Sequence, residues 1–249
     1  MLEATATTPT AQPTLVLCEL QRQPLATHES YSPYCIKVHR ALKAAGLRYT
    51  SRPGTRPADH RAHNPLGQVP VLLMDGEAIP DSTQILARLA DLRPTPAWAA
   101  HEPAVHAEAL LWEELADTSL GGFLTAARWA DDRNWPAVRD AFFGRAPWPV
   151  RTIVAPALRR GVVARLVARD VWRAGPDACW RRFDVVLDAL ERRAPASGFW
   201  LGERPSVADL GLFAQLHSLR TPLTPWQCER VQARARLAAY LDRVDLATR

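Results

Sequence analysis

Residues 32–35 read Ser-Pro-Tyr-Cys and place a hydroxyl and a thiol at the predicted start of a helix. Serine suits the N-cap and proline suits the first helical position, so we predict a helix that begins after Ser32 and ends near Ala45, before Gly46. The positive end of the helix dipole stabilises anions, and a thiolate is one of them. The segment therefore predicts a site that handles a thiol.

Three side chains at this helix start could act on a thiol in different ways. The Ser32 hydroxyl cannot become a redox centre at neutral pH, but it can donate a hydrogen bond to a thiolate and lower the pKa of that thiol. A free thiol has a pKa near about 8.5, so lowering it by about one to two units raises the thiolate fraction severalfold to more than tenfold. Cys35 could itself be a reactive thiol, although a half-buried cysteine that only packs is commoner. The Tyr31 phenol is a further candidate donor.

The surrounding sequence predicts the elements that hold these groups. Residues Thr14–Leu20 are an apolar run that predicts a strand before the first helix. Residues 64–72 read Asn-Pro-Leu-Gly-Gln-Val-Pro-Val-Leu. A second helix is predicted to begin at Asp81, with Gln84 three residues later as the other half of a capping box. Backbone N–H groups and the Ser82 hydroxyl at such a helix start form an anion-binding site.

These segments, in this order, resemble the thioredoxin-like N-terminal domain of the glutathione transferase superfamily over about residues 14–92. Residues 201–210, Leu-Gly-Glu-Arg-Pro-Ser-Val-Ala-Asp-Leu, resemble the helix-capping signature of the family's second domain. The resemblance implies an α/β domain of thioredoxin type with a mixed four-stranded sheet, followed by an all-helical (all-α) domain. It also implies glutathione as co-substrate, no metal, and a homodimer.

The resemblance assigns glutathione-binding roles to residues of this chain. It implies a cis bond between Val69 and Pro70, which would leave the Val69 N–H and C=O free to pair with the extended backbone of the tripeptide. Ser82 would take the γ-glutamyl carboxylate, Asp81 its amino group, and Gln68 the glycine carboxylate. A second group for the glycine carboxylate would come from the preceding stretch, where the basic candidates are His60, Arg61 and His63.

The same resemblance aligns Ser-Pro-Tyr-Cys with the Cys-Pro-Tyr-Cys of glutaredoxins, with the first sulfur replaced by oxygen. It implies a serine-type transferase, in which Ser32 stabilises the glutathione thiolate for attack on a small apolar electrophile. The electrophile pocket is expected between the domains, against the first long helix of the second domain, and the candidate lining residues are Leu111, Trp112, Leu115 and Phe123.

Other functions remain open from the sequence. A glutaredoxin-like or omega-like thiol-disulfide enzyme would use Cys35 instead of Ser32. A non-catalytic scaffold would keep the fold without glutathione affinity, and a binding protein would hold apolar ligands between the domains. The helical domain resembles that of metaxin-like and failed-axon-connections-like members, which are often scaffold proteins. The long loop Gln21–Tyr31 could cover or block the site.

The composition changes near residue 93, and all nine tryptophans follow that point. We predict a leader at residues 1–13, a thioredoxin-like domain at 14–92, a linker at 93–101 and a helical domain at 102–249. Within the helical domain we predict helices at 101–129, 177–193, 206–219 and 227–244. Ser206 with Asp209 predicts an N-cap with an acidic first turn, which has a structural role.

An arginine-rich insertion at about 133–173 departs most from a minimal transferase. Residues 151–173 contain six arginines and one aspartate, an excess that equals the chain's net charge of +5. Basic amphipathic helices can lie on anionic membranes or partners. We expect instead a helix that packs its apolar stripe into the core and leaves its arginines solvated. The members of that stripe are Leu158, Val162, Val163, Leu166, Val167 and Val171.

Composition also indicates a compartment and excludes some partners. The four cysteines have no metal-ligand spacing, which favours a reducing, cytoplasmic location. The N-terminus lacks the basic and apolar regions of a signal peptide, and no apolar run has the length of a membrane span. The arginines lack the interleaved aromatic residues of a nucleic-acid-binding module, so we expect no nucleic-acid partner.

Overall fold

The computed structural model describes residues 12–21, 25, 27–92, 95–168 and 171–249. The chain divides into two compact units, residues 1–100 and 101–249. Most of the predicted leader, residues 1–11, lies outside the described residues, as do residues 93 and 94 of the predicted linker and residues 22–24 and 26 of the long loop. The domain bounds given above stay predictions.

The first unit is built on a four-stranded mixed sheet, as predicted. Its spatial order is β2-β1-β3-β4, with β1 parallel to β2 and antiparallel to β3, and with β3 antiparallel to β4. Alternation along β1 buries Leu15 and Leu17 in the core. The strands are β1 (Leu15–Leu20), β2 (Thr50–Gly54), β3 (Val71–Met74) and β4 (Glu77–Pro80).

Two helices pack with this sheet, and both begin with a side-chain cap. Helix α1 (Pro33–Ala44) has Ser32 at its N-cap, and it is followed by Gly46 at φ +66°, so the predicted helix is confirmed. Helix α2 (Ser82–Ala90) has Asp81 at its N-cap. Trp98 also belongs to this unit, since its indole N–H donates to the Ala41 carbonyl at 3.0 Å.

The last residues of the loop before Ser32 are attached to α1 by an ion-pair cluster. The Glu29 carboxylate lies 3.1 Å from the Arg40 guanidinium and 2.6 Å from the Lys43 ammonium. Arg40 is almost fully buried, and this carboxylate is one of the groups that compensate its buried charge. Burial opposes ionisation of Glu29, but Arg40 and Lys43 outweigh that effect and hold its pKa below the usual value.

We expect Glu29→Gln to lower the free energy of unfolding at neutral pH by roughly 2 kcal/mol, because the buried Arg40 loses a carboxylate partner. A carboxyl with a lowered folded-state pKa adds stability above its unfolded pKa, near about 4.3, and loses it as pH falls through the folded value. Urea denaturation from neutral pH to about pH 3 should therefore show the two proteins converging in acid. The exposed Glu77→Gln is the control, and a difference that persists unchanged in acid would contradict the account.

The named secondary-structure elements of the second unit are all helices. The continuous helical segment from residue 103 to residue 130 contains two π-helical turns, at 116–120 and 126–130. A third π-helical turn lies at 150–154. Every residue of helix α8 (Val207–His217) is buried, which makes it the central helix of this unit. The α-helices are α3 (Pro103–Leu115), α4 (Gly121–Thr125), α5 (Trp135–Phe143), α6 (Ala155–Ala168), α7 (Gly175–Arg193), α8 (Val207–His217), α9 (Pro225–Gln232) and α10 (Ala235–Thr248).

The predicted single helix at 227–244 is wrong, because the chain there forms α9 and α10 with a break between them. Arg234 leaves helical geometry at φ −91° and ψ 88°. The new helix start is capped from α7, where the Glu191 carboxylate accepts the N–H groups of Arg236 and Leu237 at 3.2 and 2.8 Å. This cap lies far away in the sequence, so the local pattern could not reveal it.

The arginine-rich segment forms α5, the π-helical turn at 150–154 and α6. The expectation that its apolar stripe packs into the core holds for Leu166, which is buried. It is wrong for Leu158 and Val167, which are exposed. Arg159, expected on the solvated side, instead reaches inward to the Trp129 carbonyl at 2.7 Å.

Candidate functional site

The sheet of the first unit brings three sequence-predicted segments to one edge. Val71, at the start of β3, lies opposite Cys18 of β1 and opposite Pro80 of β4. The chain leaving β1 therefore reaches the Ser32 cap at the same sheet edge where Val69 precedes β3 and Ser82 follows β4. Antiparallel pairing alone produces this convergence, because strand ends that face each other carry their adjoining loops to one side.

Ser32 is buried, with 8% of its surface exposed, and its hydroxyl oxygen accepts the Cys35 N–H at 3.3 Å. This bond satisfies one unpaired donor of α1. Its own N–H donates to the Ser30 hydroxyl at 3.3 Å, and that hydroxyl donates to the Leu20 carbonyl at 3.0 Å. These bonds fix the cap against the end of β1. A serine hydroxyl can accept and donate together, so the O–H can still donate to an anion.

The two alternative catalytic residues beside Ser32 are both buried. Cys35 is 0% exposed, and burial raises the pKa of its thiol to about 12, with the nearby Glu19 charge acting in the same direction against the Ser32 hydrogen bond. At neutral pH Cys35 is therefore a thiol and a weak nucleophile. Tyr31 is 5% exposed, so its side chain lies mainly within the unit.

We expect thiol reagents at neutral pH to modify Cys35 only after denaturation, because its thiol is both protonated and inaccessible. Cys228, which is only half-buried, should react first in the native protein. Peptide mass mapping after timed iodoacetamide labelling measures this order. Labelling of native Cys35 as fast as Cys228, or loss of activity in Cys35→Ala, would favour the thiol-disulfide alternative.

The segment before β3 presents an unpaired stretch of backbone. The Val69–Pro70 bond is cis, as the resemblance implies. Among the residues that the structure describes, the N–H and C=O of Val69 have no hydrogen-bond partner. The buried Asn64 holds this segment in place, since its amide donates to the Gln68 carbonyl at 3.2 Å and accepts the Leu66 N–H at 3.1 Å.

Side chains around this segment differ in their availability to a ligand. Gln68 is exposed, so its amide is accessible. His60 is buried and bonded to the Glu19 carbonyl at 3.0 Å, which gives it a structural role. Arg61 is exposed and lies beside the loop that carries Gln68. A side-chain Cβ at the position of Gly67 would lie only 3.0 Å from the Arg61 Nε atom. His63 lies 3.2 Å from the Arg52 guanidinium.

The start of α2 combines a helix cap with a buried hydroxyl that has no partner among the described residues. Asp81 has φ +71°, in the left-handed region that non-glycine residues rarely adopt, and this geometry aims its carboxylate at the N–H groups of Thr83 and Gln84 at 2.9 and 3.2 Å. The cap is thus confirmed, while the reciprocal bond that would complete a capping box is not formed within the described structure. Ser82 is 3% exposed, and its hydroxyl makes no hydrogen bond to a described residue.

Lys37 and Asn64 are residues near this edge whose roles the sequence did not reveal. The Lys37 side chain is buried, and its ammonium donates to the Thr83 hydroxyl at 3.4 Å, which ties α1 to the start of α2. The sequence feature that could have pointed to Lys37 is the rarity of lysine, since Lys37 and Lys43 are the two lysines among 31 lysine and arginine residues. Asn64 begins the motif at residues 64–72, but its bonds to Gln68 and Leu66 form only in the folded loop.

The candidate lining residues of the second unit occupy different environments. Leu111 and Leu115 of α3 are exposed. Trp112 is half-buried and its ring lies 5.0 Å from the buried ring of Trp200. Phe123 packs in the core 5.3 Å from the Phe183 ring. Their assignment to a pocket stays a prediction.

Within the described ranges, no group of three or more histidine, cysteine or carboxylate side chains could hold a metal ion. No helix in the described part of the chain has both the length and the apolar character needed to cross a bilayer.

Comparison with known protein families matches most of the chain. Residues 27–97 match the family described as Glutathione S-transferase, N-terminal domain, and residues 114–243 match Glutathione S-transferase, C-terminal domain. The chain is also 31% identical over 199 residues to a maleylacetoacetate isomerase of Rhizobium meliloti (strain 1021), a match that covers 74% of this chain and 76% of that protein.

Solved structures with the same fold are more distant in sequence. Glutathione transferase GSTFuA3 from Phanerochaete chrysosporium is 17% identical with a TM-score of 0.66, over 96% of this chain and 98% of that one. A glutathione S-transferase from Methylobacillus flagellatus with glutathione bound is 20% identical with a TM-score of 0.56, over 92% and 94%. Beta-etherase LigF from Sphingobium is 21% identical with a TM-score of 0.57, over 92% and 99%.

Proposed function

Because the chain belongs to the glutathione S-transferase family, we propose that it is a glutathione-dependent enzyme whose first unit binds the tripeptide and whose Ser32 hydroxyl stabilises the glutathione thiolate. The main support is the convergence at one sheet edge of three features: the Ser32 cap, the Val69 backbone and the Ser82 hydroxyl, the last two of which bond to no described residue. A solved relative with glutathione bound supports the choice of ligand.

Each part of glutathione has a chemical counterpart at this edge. The γ-glutamyl carboxylate is proposed to accept from the hydroxyl and the backbone N–H of Ser82, because Asp81 already occupies the N–H groups of Thr83 and Gln84. The helix dipole favours a negative charge at this position. The amino group of the same residue pairs with the Asp81 carboxylate. The tripeptide backbone pairs with Val69 in the manner of an added strand, next to Pro70. The exposed Gln68 amide is proposed for the glycine carboxylate.

The proposed chemistry requires only a positioned thiolate. The cysteinyl thiol of glutathione loses its proton to solvent, and the Ser32 O–H donates to the resulting sulfur anion. The sulfur then forms a bond to an electrophilic carbon, and the leaving group departs with its electron pair. Proximity and the lowered thiol pKa account for the acceleration. A generic chlorinated aromatic electrophile, followed by absorbance of the thioether product, tests for this activity.

A second candidate is glutathione-dependent isomerisation, which the 31% identity to a maleylacetoacetate isomerase favours. In such a reaction the thiolate adds to a cis carbon–carbon double bond conjugated to a carbonyl. The resulting single bond rotates, and expulsion of the thiolate gives the trans isomer. Both activities use the same thiolate and the same Ser32 hydrogen bond.

The two activities differ in whether glutathione is consumed. With maleylacetoacetate and catalytic glutathione, an isomerase forms the trans product while the thiol concentration stays constant. A transferase consumes one thiol for each electrophile. Parallel assays of thiol content and product therefore distinguish the two candidate activities. Absence of both activities would favour the non-catalytic scaffold.

We further propose a homodimer in a cytoplasmic, detoxifying role, supported by the family membership. A small apolar electrophile is proposed to meet the exposed Leu111 and Leu115 and the ring of Trp112. Light scattering measures the assembly. Replacement of Leu111 by Ser should raise KM for an apolar electrophile without changing glutathione affinity.

A further inference from the structure

Helix α6 of the second unit has one side fixed against its own unit. Ala155, Arg159 and Leu166 fall on that side at helical spacing, and the first and last of them are buried. The Arg159 guanidinium donates to the carbonyl oxygens of Trp129 and Ala130 at 2.7 and 3.1 Å, which caps the end of the π-helical turn at 126–130. The opposite side of α6 therefore points away from the unit.

The chain that enters α6, from Trp148 through the π-helical turn at 150–154 to Leu158, exposes large apolar side chains. Trp148 is 71% exposed and Ile153 is 62% exposed, and Val154 and Leu158 follow them on the surface. Isolated exposed apolar residues need no explanation, but several close together in the chain favour an interaction site. We call Trp148, Ile153, Val154 and Leu158 the apolar face.

The charged residues in the stretch of sequence that contains the apolar face are all arginines, and one of them, Arg151, lies 3.8 Å from Asp140. Arg145, Arg160 and Arg165 are exposed, and none of them forms an ion pair with a described residue. The sequence contains no acidic residue from position 141 to position 169. The face and its flanks are therefore apolar and positive together, in contrast to the paired arginines on α9 and in the α9–α10 connection.

We propose that this face docks on an anionic membrane surface, with the apolar side chains entering the edge of the acyl region and the arginines meeting the lipid headgroups. A lipid surface accommodates both properties, since interfacial helices bury an apolar side and place Arg and Trp at headgroup depth. A nucleic acid would leave the aliphatic side chains without a role. A second copy docked face to face would oppose arginine to arginine.

Sedimentation of the full-length protein with vesicles tests the proposal. The protein should bind vesicles of phosphatidylcholine with phosphatidylglycerol, not vesicles of phosphatidylcholine alone, and added salt should weaken binding. Combined replacement of Arg145, Arg160 and Arg165 by Ser should weaken it on the order of 100-fold, because each arginine near an anionic surface contributes about fivefold. The charge-matched control replaces Arg88, Arg181 and Arg192, which are exposed on other helices, by Ser.

Insertion of the apolar face has a separate readout. Brominated acyl chains should quench tryptophan fluorescence of the bound protein, and Trp148→Phe should remove that quenching while the protein stays bound. Equal binding by the two triple variants, or no binding to anionic vesicles, would overturn the proposal. A dimer that Ile153→Ser dissociates, without lipid binding, would assign the face to a second copy. None of these measurements requires glutathione or Ser32, so they succeed or fail independently of the proposed enzyme.

Discussion

Replacement of Ser32 by Ala is expected to reduce turnover at neutral pH by roughly 10- to 100-fold, because the bound thiol loses the hydrogen bond that lowers its pKa by about one to two units. The defect should shrink as pH rises, since glutathione then ionises without help. The measurement is kcat/KM against pH with whichever electrophile is turned over. The midpoint of the profile should move upward in the variant.

Two further variants separate the chemical role of Ser32 from its role as a helix cap. Ser32→Thr keeps a hydroxyl that both caps and donates, so it should retain most activity. Ser32→Asp keeps a good N-cap but cannot donate and repels a thiolate, so it should be at least as impaired as Ser32→Ala while remaining folded. Full activity in Ser32→Asp would contradict the proposed role.

Replacement of Asp209 by Ala is expected to destabilise the second unit by roughly 4 kcal/mol or more. Asp209 is 0% exposed and accepts from the Trp200 N–H, the Ser206 N–H and hydroxyl, and the Tyr240 hydroxyl, at 2.7 to 2.8 Å. The substitution leaves several buried donors unpaired, each of which costs about 1–3 kcal/mol. The unfolding midpoint should fall by about 10 °C or more.

Tyr240→Phe provides a graded control for this prediction. It removes one hydrogen bond to the Asp209 carboxylate and leaves the other three, so a loss of about 1.5–3 kcal/mol is expected. Urea denaturation followed by tryptophan fluorescence measures both variants, and the graded loss in Tyr240→Phe remains measurable if Asp209→Ala does not fold. An Asp209→Ala protein within about 1 kcal/mol of wild type would contradict the role of this cap.

The sequence alone was sufficient to predict where a helix begins when the capping residue lies next to that helix in the chain. The starts of α1 at Ser32, α2 at Asp81 and α8 at Ser206 were all predicted, because each cap lies within three residues of the N–H groups it satisfies. The order of these segments also identified the mixed sheet, through a resemblance. The glutathione-binding assignments came from that resemblance and stay predictions.

Features set by distant residues were not predictable in the same way. The break between α9 and α10 depends on Glu191, about forty residues earlier, and the sequence around Arg234 contains no helix breaker. Periodicity gave α6 an apolar stripe but could not show which side its own unit covers. The inward Arg159 and the outward Leu158 reverse the simple rule that apolar residues face the core.

Glutathione binding measured by calorimetry tests the central claim most directly. The wild-type protein should bind glutathione, and Ser82→Ala should weaken the affinity about 10- to 100-fold through loss of a hydrogen bond to a carboxylate. Thr50→Ala, which removes an exposed hydroxyl elsewhere in the same unit, should bind as wild type does. No heat of binding from the wild-type protein, or equal affinity in Ser82→Ala, would contradict a glutathione site at this sheet edge.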